Sequence, residues 1–197
     1  MPEAQDTLEQ AEHAEHASHT NRKIGLLIAV LALFLSFSET LGKSAQTEAI
    51  SANVESSNLW AFFQAKTVRM TTVRTAAEEL KLEQAAVTDP ATKEAMDKQI
   101  DAWQKTAARY DSEPDTGEGR KQLAEHAKEA EEKRDLSMAR YHHYELASAA
   151  FQIGIVLASA AVVTSVIALA WLSGLLGVVG LAVLALGLFA PHAVPLL

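Results

Sequence analysis

The sequence predicts an all-α integral membrane protein with three transmembrane helices and a long, coiled-coil-like extramembrane helical hairpin between the first and second. Two observations carry that prediction. Charge and apolarity are segregated along the chain: no Asp, Glu, Lys or Arg follows Glu145, whereas charges recur every few residues between Glu48 and Glu145. A water-soluble helix carries one apolar stripe beside a polar remainder, so segregation on this scale implies two solvents. The second observation is periodicity. Lys43 to Val87 contains neither Gly nor Pro and repeats small or apolar residues at alternating steps of three and four, from Ala45 through Ala49, Ala52, Ser56, Leu59 and Phe63 to Val87, broken outright only at Lys66 and Gln84. That is the period of a helix packed along another helix.

The N-terminal tail, residues 1–22, is acidic and contains histidines. His13, His16 and His19 recur every three residues, with Glu9, Glu12 and Glu15 between them. On a helix the three imidazoles would share one sector, and histidine-rich tracts can hold Zn, Ni or Cu. The competing expectation is a solvated acidic tail.

Transmembrane helix 1 is expected at 23–41. Its strictly apolar part, Ile24 to Phe37, is short of the roughly 20 residues a span requires, so Ser36, Ser38 and Glu39 must lie near the headgroups. A cleaved secretory signal is the rival, with Arg22 and Lys23 as its charged region; no small-x-small site follows cleanly, and the helical pattern continues.

Residues 42–145 are expected to form the extramembrane hairpin, broken near 88–90 and 111–117. Asp89 can cap a helix that restarts at Pro90. Asp111 to Gly117 reads as a polar loop. The returning helix, from about Glu118, shows a poor seam and a mostly solvated face. At 1.5 Å per residue the outgoing arm spans roughly 70 Å and the returning pieces about 75 Å, so the chain can return to the bilayer face it left.

Residues 146–197 hold transmembrane helices 2 and 3, with a turn expected at Trp171-Leu172-Ser173-Gly174 and an end at Pro191 and Pro195. Ala150, Gly154 and Ala158 recur every four residues, a spacing that lets two membrane helices approach closely. Tyr141, His142, His143 and Tyr144 are expected to form an interfacial belt. No formal charge lies deep in a span, which argues against an ion-coupled transporter.

The formal net charge is −8 and there are no cysteines among the 197 residues. Basic residues are interleaved with acidic ones, so no phosphate-binding stripe exists and a nucleic-acid partner is not expected. Thiol chemistry and disulfides are excluded. Orientation stays open: Arg22 and Lys23 favour a cytoplasmic N-terminus, while Lys133, Arg134 and Arg140 favour a cytoplasmic hairpin.

Three stretches, together with the histidine-spaced tail, resemble the domain-of-unknown-function 4337 family of small bacterial membrane proteins. They are Ser57-Asn58-Leu59-Trp60-Ala61-Phe62-Phe63-Gln64-Ala65-Lys66, Arg109-Tyr110, and Phe151-Gln152-Ile153-Gly154-Ile155-Val156-Leu157-Ala158-Ser159. The resemblance implies a three-span bacterial membrane protein and supplies no catalytic residues.

The residues contain no nucleophile–base pair, paired-carboxylate motif or phosphate loop. The expectation is therefore a non-enzymatic scaffold or interaction protein of the inner cell membrane, without cofactor. Its partners would be the lipid bilayer, further copies of itself and an unidentified protein. Trp60 and Phe62 lie off the seam and are the expected partner contacts, since aromatics dominate interface energetics; Phe63 and Trp103 are expected in the hairpin's own core. A channel or transport accessory subunit is the first alternative. A metal-binding or sensing protein using His13, His16, His19, His142 and His143 is the second.

Overall fold

A computed structural model describes the backbone of residues 3–193 and the side chains of residues 21–193. Among the described residues the protein is all helical, with four helices: α1 Glu3–Ala86, α2 Pro90–Asp111, α3 Arg120–Thr164 and α4 Ile167–Phe189. Three of them, α1, α3 and α4, hold stretches long and apolar enough to cross a membrane. The side chains of His13, His16 and His19, and Pro195, lie outside the described residues.

On α1 the seam extends further than its polar half suggests. Buried or half-buried positions keep one alternation of four and three from Ile24 through Ile28, Leu31, Leu35, Ser38, Gly42, Ala45 and Ala49 to Gln84. The chain divides into two compact units, residues 1–48 with 136–197, and residues 49–135.

The first unit packs parts of α1, α3 and α4 together. Its core joins Leu31, Ala45, Tyr144, Ala147, Phe151 and Leu184, with a smaller cluster of Ile24, Ala158 and Ala161. Bulk and hollow alternate. On α4 the buried positions are Ser173, Gly177, Gly180, Leu184 and Gly187, again in steps of four and three. A Cβ at Gly180 would lie 2.7 Å from Phe151, and one at Gly187 would lie 2.8 Å from Tyr144. Small residues here let helix backbones approach, where dispersion contacts supply the packing energy. Phe34 stacks on Phe151 with ring centroids 6.0 Å apart.

The link between α3 and α4 departs from the expected position. The chain turns at Ser165 and Val166, with Ser165 at φ 58°, and Trp171 to Gly174 lie within α4. Gly177 and Gly180 accommodate Leu31 and Phe151. Pro191 stands just past the end of α4, in keeping with a residue that cannot continue a helix.

The second unit runs two arms antiparallel. Gln84 donates to the Lys93 carbonyl and to Asp97, Lys66 meets Glu118, and Trp60 meets Glu131, so positions descend on one arm as they ascend on the other. Asp89 caps α2 by accepting from the Thr92 amide at 2.9 Å and the Thr92 hydroxyl at 2.6 Å, and Pro90 occupies the first turn, where no amide donor is needed. Gly117 takes φ 71° in the loop before α3, and a side chain on Gly119 would collide with the backbone of Ser112 and Glu113. The returning helix has a better seam than its sequence suggests. Leu123, Ala127 and Ala130 are buried, and small residues make the seam inconspicuous in sequence.

Candidate interaction surface

The aromatic candidates sit in a cluster that is already occupied. Trp60 is half-buried; its indole N–H donates to Glu131 Oε1 at 2.8 Å and its ring meets Phe63 edge-on at 5.4 Å. Phe62 is more exposed, but the Lys66 ammonium lies 5.2 Å from its ring centroid. Lys66 itself is buried in the seam, 3.3 Å from Glu118 Oε2 and 5.5 Å from the Tyr110 ring. Arg120 closes the cluster. Its guanidinium lies 4.9 Å from the Phe63 ring, donates to Thr67 Oγ1 at 2.8 Å and pairs with Asp111 at 3.0 Å. The arrangement places two cations on aromatic faces and gives each an acidic partner. Its chemistry is structural: it fixes the loop between α2 and α3 against α1.

The membrane-type packing residues also fall on interior faces. Gly154 and Ala158 are buried and Ala150 is half-buried. A Cβ on Gly154 would approach Leu31 at 3.2 Å and the Ser173 carbonyl at 3.4 Å, where α1, α3 and α4 meet.

The belt expected at Tyr141 to Tyr144 is corrected for two of its members. His143 is 1% and Tyr144 4% exposed. His143 donates from Nδ1 to the Ala139 carbonyl at 2.8 Å, and Tyr144 donates to the Gly187 carbonyl at 3.3 Å. Ser38 and Ser148 both donate to the Tyr144 carbonyl, at 2.8 and 2.9 Å. Beside them Glu39, Lys43, Gln46, Tyr141 and Glu145 line an open polar recess of about 310 Å³. Among the described residues no group of three or more His, Asp or Glu is placed to hold a metal ion.

The larger feature is a face that neither arm of the second unit covers. Opposite the α1 seam runs a second line in steps of three and four: Thr47, Ile50, Val54, Ser57, Ala61, Gln64, Val68, Thr71 and Thr75, all exposed. Ile50, Val54 and Val68 are 60%, 54% and 65% exposed. No charge lies on this line between Lys43 and Glu78. The charges that α1 does carry from Gln46 to Val73 stand elsewhere: Glu48, Glu55 and Arg69 form one line at sevenfold spacing, and Lys66 is in the seam. Three of the four hydroxyls on the line turn inward to their own helix. Thr47 donates to Lys43, Ser57 to Asn53 and Thr71 to Thr67, and the adjacent Thr72 donates to Val68, each through the carbonyl four residues back at 2.8–2.9 Å. Such hydroxyls are satisfied without water, so covering them leaves no orphaned donor. Thr67, Val68, Thr71, Thr72, Thr75 and Ala76 frame a shallow hollow of about 550 Å³ on this side, with Glu79 at its end. The signal is present in the sequence as a second run of uncharged residues at the same spacing, less conspicuous than the apolar seam beside it.

Residues 20–190 match a family model described as a domain of unknown function, DUF4337. Comparison with curated proteins and with solved structures gives no match.

Proposed function

The chain belongs to the DUF4337 family, and for it we propose a non-catalytic scaffold of the bacterial inner membrane that self-associates through its helical hairpin. Three apolar helices anchor it, and the second unit, as a wet two-arm coiled coil, presents the contact surface. The single observation that carries this reading is the uncharged, exposed line on α1 from Thr47 to Thr75. In a chain with 21% charged residues, a water-facing helix has no physical need to keep nine successive stripe positions neutral. Such a face is costly to solubility and gains its use when covered.

The small-residue faces that motivate a channel pack against this chain's own Leu31, Phe151 and Tyr144, which favours the scaffold reading.

Light scattering of the protein in mild detergent tests the proposal. The expected result is a particle holding at least two copies of the 21.2 kDa chain, dissociating on dilution. A strictly monomeric particle at high concentration would overturn it.

A further inference from the structure

We propose that the occupant of the uncharged α1 face is the same face of a second copy, lying parallel and in register. The inference rests on the self-association reading above and specifies which surface, which direction and which register.

Direction follows from insertion. Two copies inserted the same way into one bilayer are related by an axis normal to it, and α1, a single helix that continues from its apolar part into this face, then runs parallel to its equivalent. Register follows from charge. With Val54, Ala61 and Val68 as one core column and Ile50, Ser57, Gln64 and Thr71 as the other, the flanking positions of a parallel pair meet at an offset of five residues. The flanks from Asn53 to Thr72 are uncharged, so they neither attract nor repel. The first charged flanking pair is Arg74 against Glu79 of the other copy, opposite in sign and repeated on both sides of the axis. Both residues are exposed, and neither is held in an ion pair within the chain among the described residues.

The limits of the face agree with this register. At Lys43 and at Glu78 a parallel pair would bring identical charges together in its core column, and the neutral run lies between those two positions. From Thr47 to Thr75, roughly 40 Å of helix, the parallel in-register arrangement meets no like-charge contact, and the Arg74–Glu79 pairs flank the Glu78 layer that ends the run. The core is built from β-branched and small residues with inward-bonded hydroxyls and one polar layer at Gln64, which suits a reversible contact rather than a permanent one.

The absence of cysteine makes the test direct. Single cysteines are introduced into the full chain in native membranes at Ser57 and Thr71, in the proposed core column, and at Glu55 and Arg69, on the charged line. Mild oxidation is followed by gel analysis, and helix content by circular dichroism confirms folding of each variant. The expected result is Ser57→Cys and Thr71→Cys crosslinking to themselves at least about tenfold more than Glu55→Cys and Arg69→Cys. A charge reversal, Arg74→Glu, should weaken association about tenfold through its two symmetry-related contacts, and Arg74→Glu with Glu79→Arg should restore it.

Oligomers that persist in light scattering while Ser57→Cys crosslinks no better than Glu55→Cys would overturn the inference and leave the self-association reading standing. In a mixture of the two variants, Ser57→Cys crosslinking to Thr71→Cys in preference to itself would overturn the parallel direction. Capture of a different polypeptide in place of the second copy would overturn the assignment of occupant. A monomer under all conditions would overturn both.

Discussion

Lys66 occupies a seam position whose neighbours Leu59, Phe63, Met70 and Val73 are apolar. Its side chain is 7% exposed, while its partner Glu118 is 55% exposed. A buried ammonium with a half-solvated counterion is costly to desolvate, and an apolar side chain of similar length removes that cost. Lys66→Met should therefore leave the Tm of the protein unchanged or raise it, despite the loss of an ion pair and two aromatic contacts. Glu118→Gln should lower stability by about 1 kcal/mol, reduced from the buried-pair range by solvent screening of the carboxylate. Thermal unfolding followed at 222 nm separates these outcomes; a marked loss in Lys66→Met would show that the ion pair is a net stabiliser. Asp89 is a second residue whose effect follows from its bonds. The Thr92 hydroxyl and then the Thr92 amide hold its carboxyl below the usual carboxylate range. Because the folded pKa is depressed, the stabilisation is present above the unfolded value, near 4, and is lost as pH falls through the folded value. Hydrogen exchange at the start of α2 should accelerate in acid beyond the intrinsic trend. Asp89→Ala should show that faster opening at neutral pH and lose its acid dependence.

Helices differ in what they contribute to packing, and α4 shows this most clearly. Gly180 lies against the Phe151 ring, whereas a Cβ on Gly174 of the same helix would meet nothing within 4 Å. Gly180→Ala should cost about 1–3 kcal/mol through overpacking against a ring that Phe34 also holds. Gly174→Ala should be neutral or gain about 0.5–1 kcal/mol from the helix preference of alanine. Resistance to unfolding in a denaturing detergent series measures both, and equal behaviour would argue that α4 is not seated as described. The same contrast explains why one turn was misplaced from sequence. Trp171 to Gly174 has turn-like composition, but its small residues belong to a packing face, and the chain reverses at Ser165 without a glycine. The breaks at Thr88-Asp89-Pro90 and Asp111 to Gly117 were legible because a cap, a proline and a glycine with φ 71° each have a local signature. Seams made of Ala and Ser, as at Ala127 and Ala130, have none. In the apolar part of α1 every side is hydrophobic, so the alternation that selects Ile24, Leu31 and Ser38 is invisible until the neighbours are in place.

At the scale of the molecule, all-α architecture and three apolar helices could be read from the segregation of charge, because solvent preference is a property of composition. The neutral α1 face was harder to read, since it is defined by what is missing. The direction of the three helices in the first unit has a consequence for topology. Lys23 near one end of the apolar part of α1 lines a groove with Ile167 and Trp171 at the start of α4, so the α3–α4 turn lies at the same end as Lys23. Ser38, Tyr144 and Gly187 mark the opposite end. In sealed vesicles an impermeant thiol reagent should label Asn21→Cys and Ser165→Cys from one side, and Glu145→Cys from the other. Labelling of Ser165→Cys and Glu145→Cys from the same side would contradict a spanning α3.

The alternation of hollows on α4 with bulk on its neighbours bears on how this helix tolerates change. If every position of α4 were replaced in turn by larger residues, damage should recur with a heptad rhythm, falling at Ser173, Gly177, Gly180 and Gly187. The outward positions, Trp171, Leu175 and Val178 among them, should accept almost any apolar substitute. The helix that looks most uniform in composition would then prove to be the most one-sided in what it forbids.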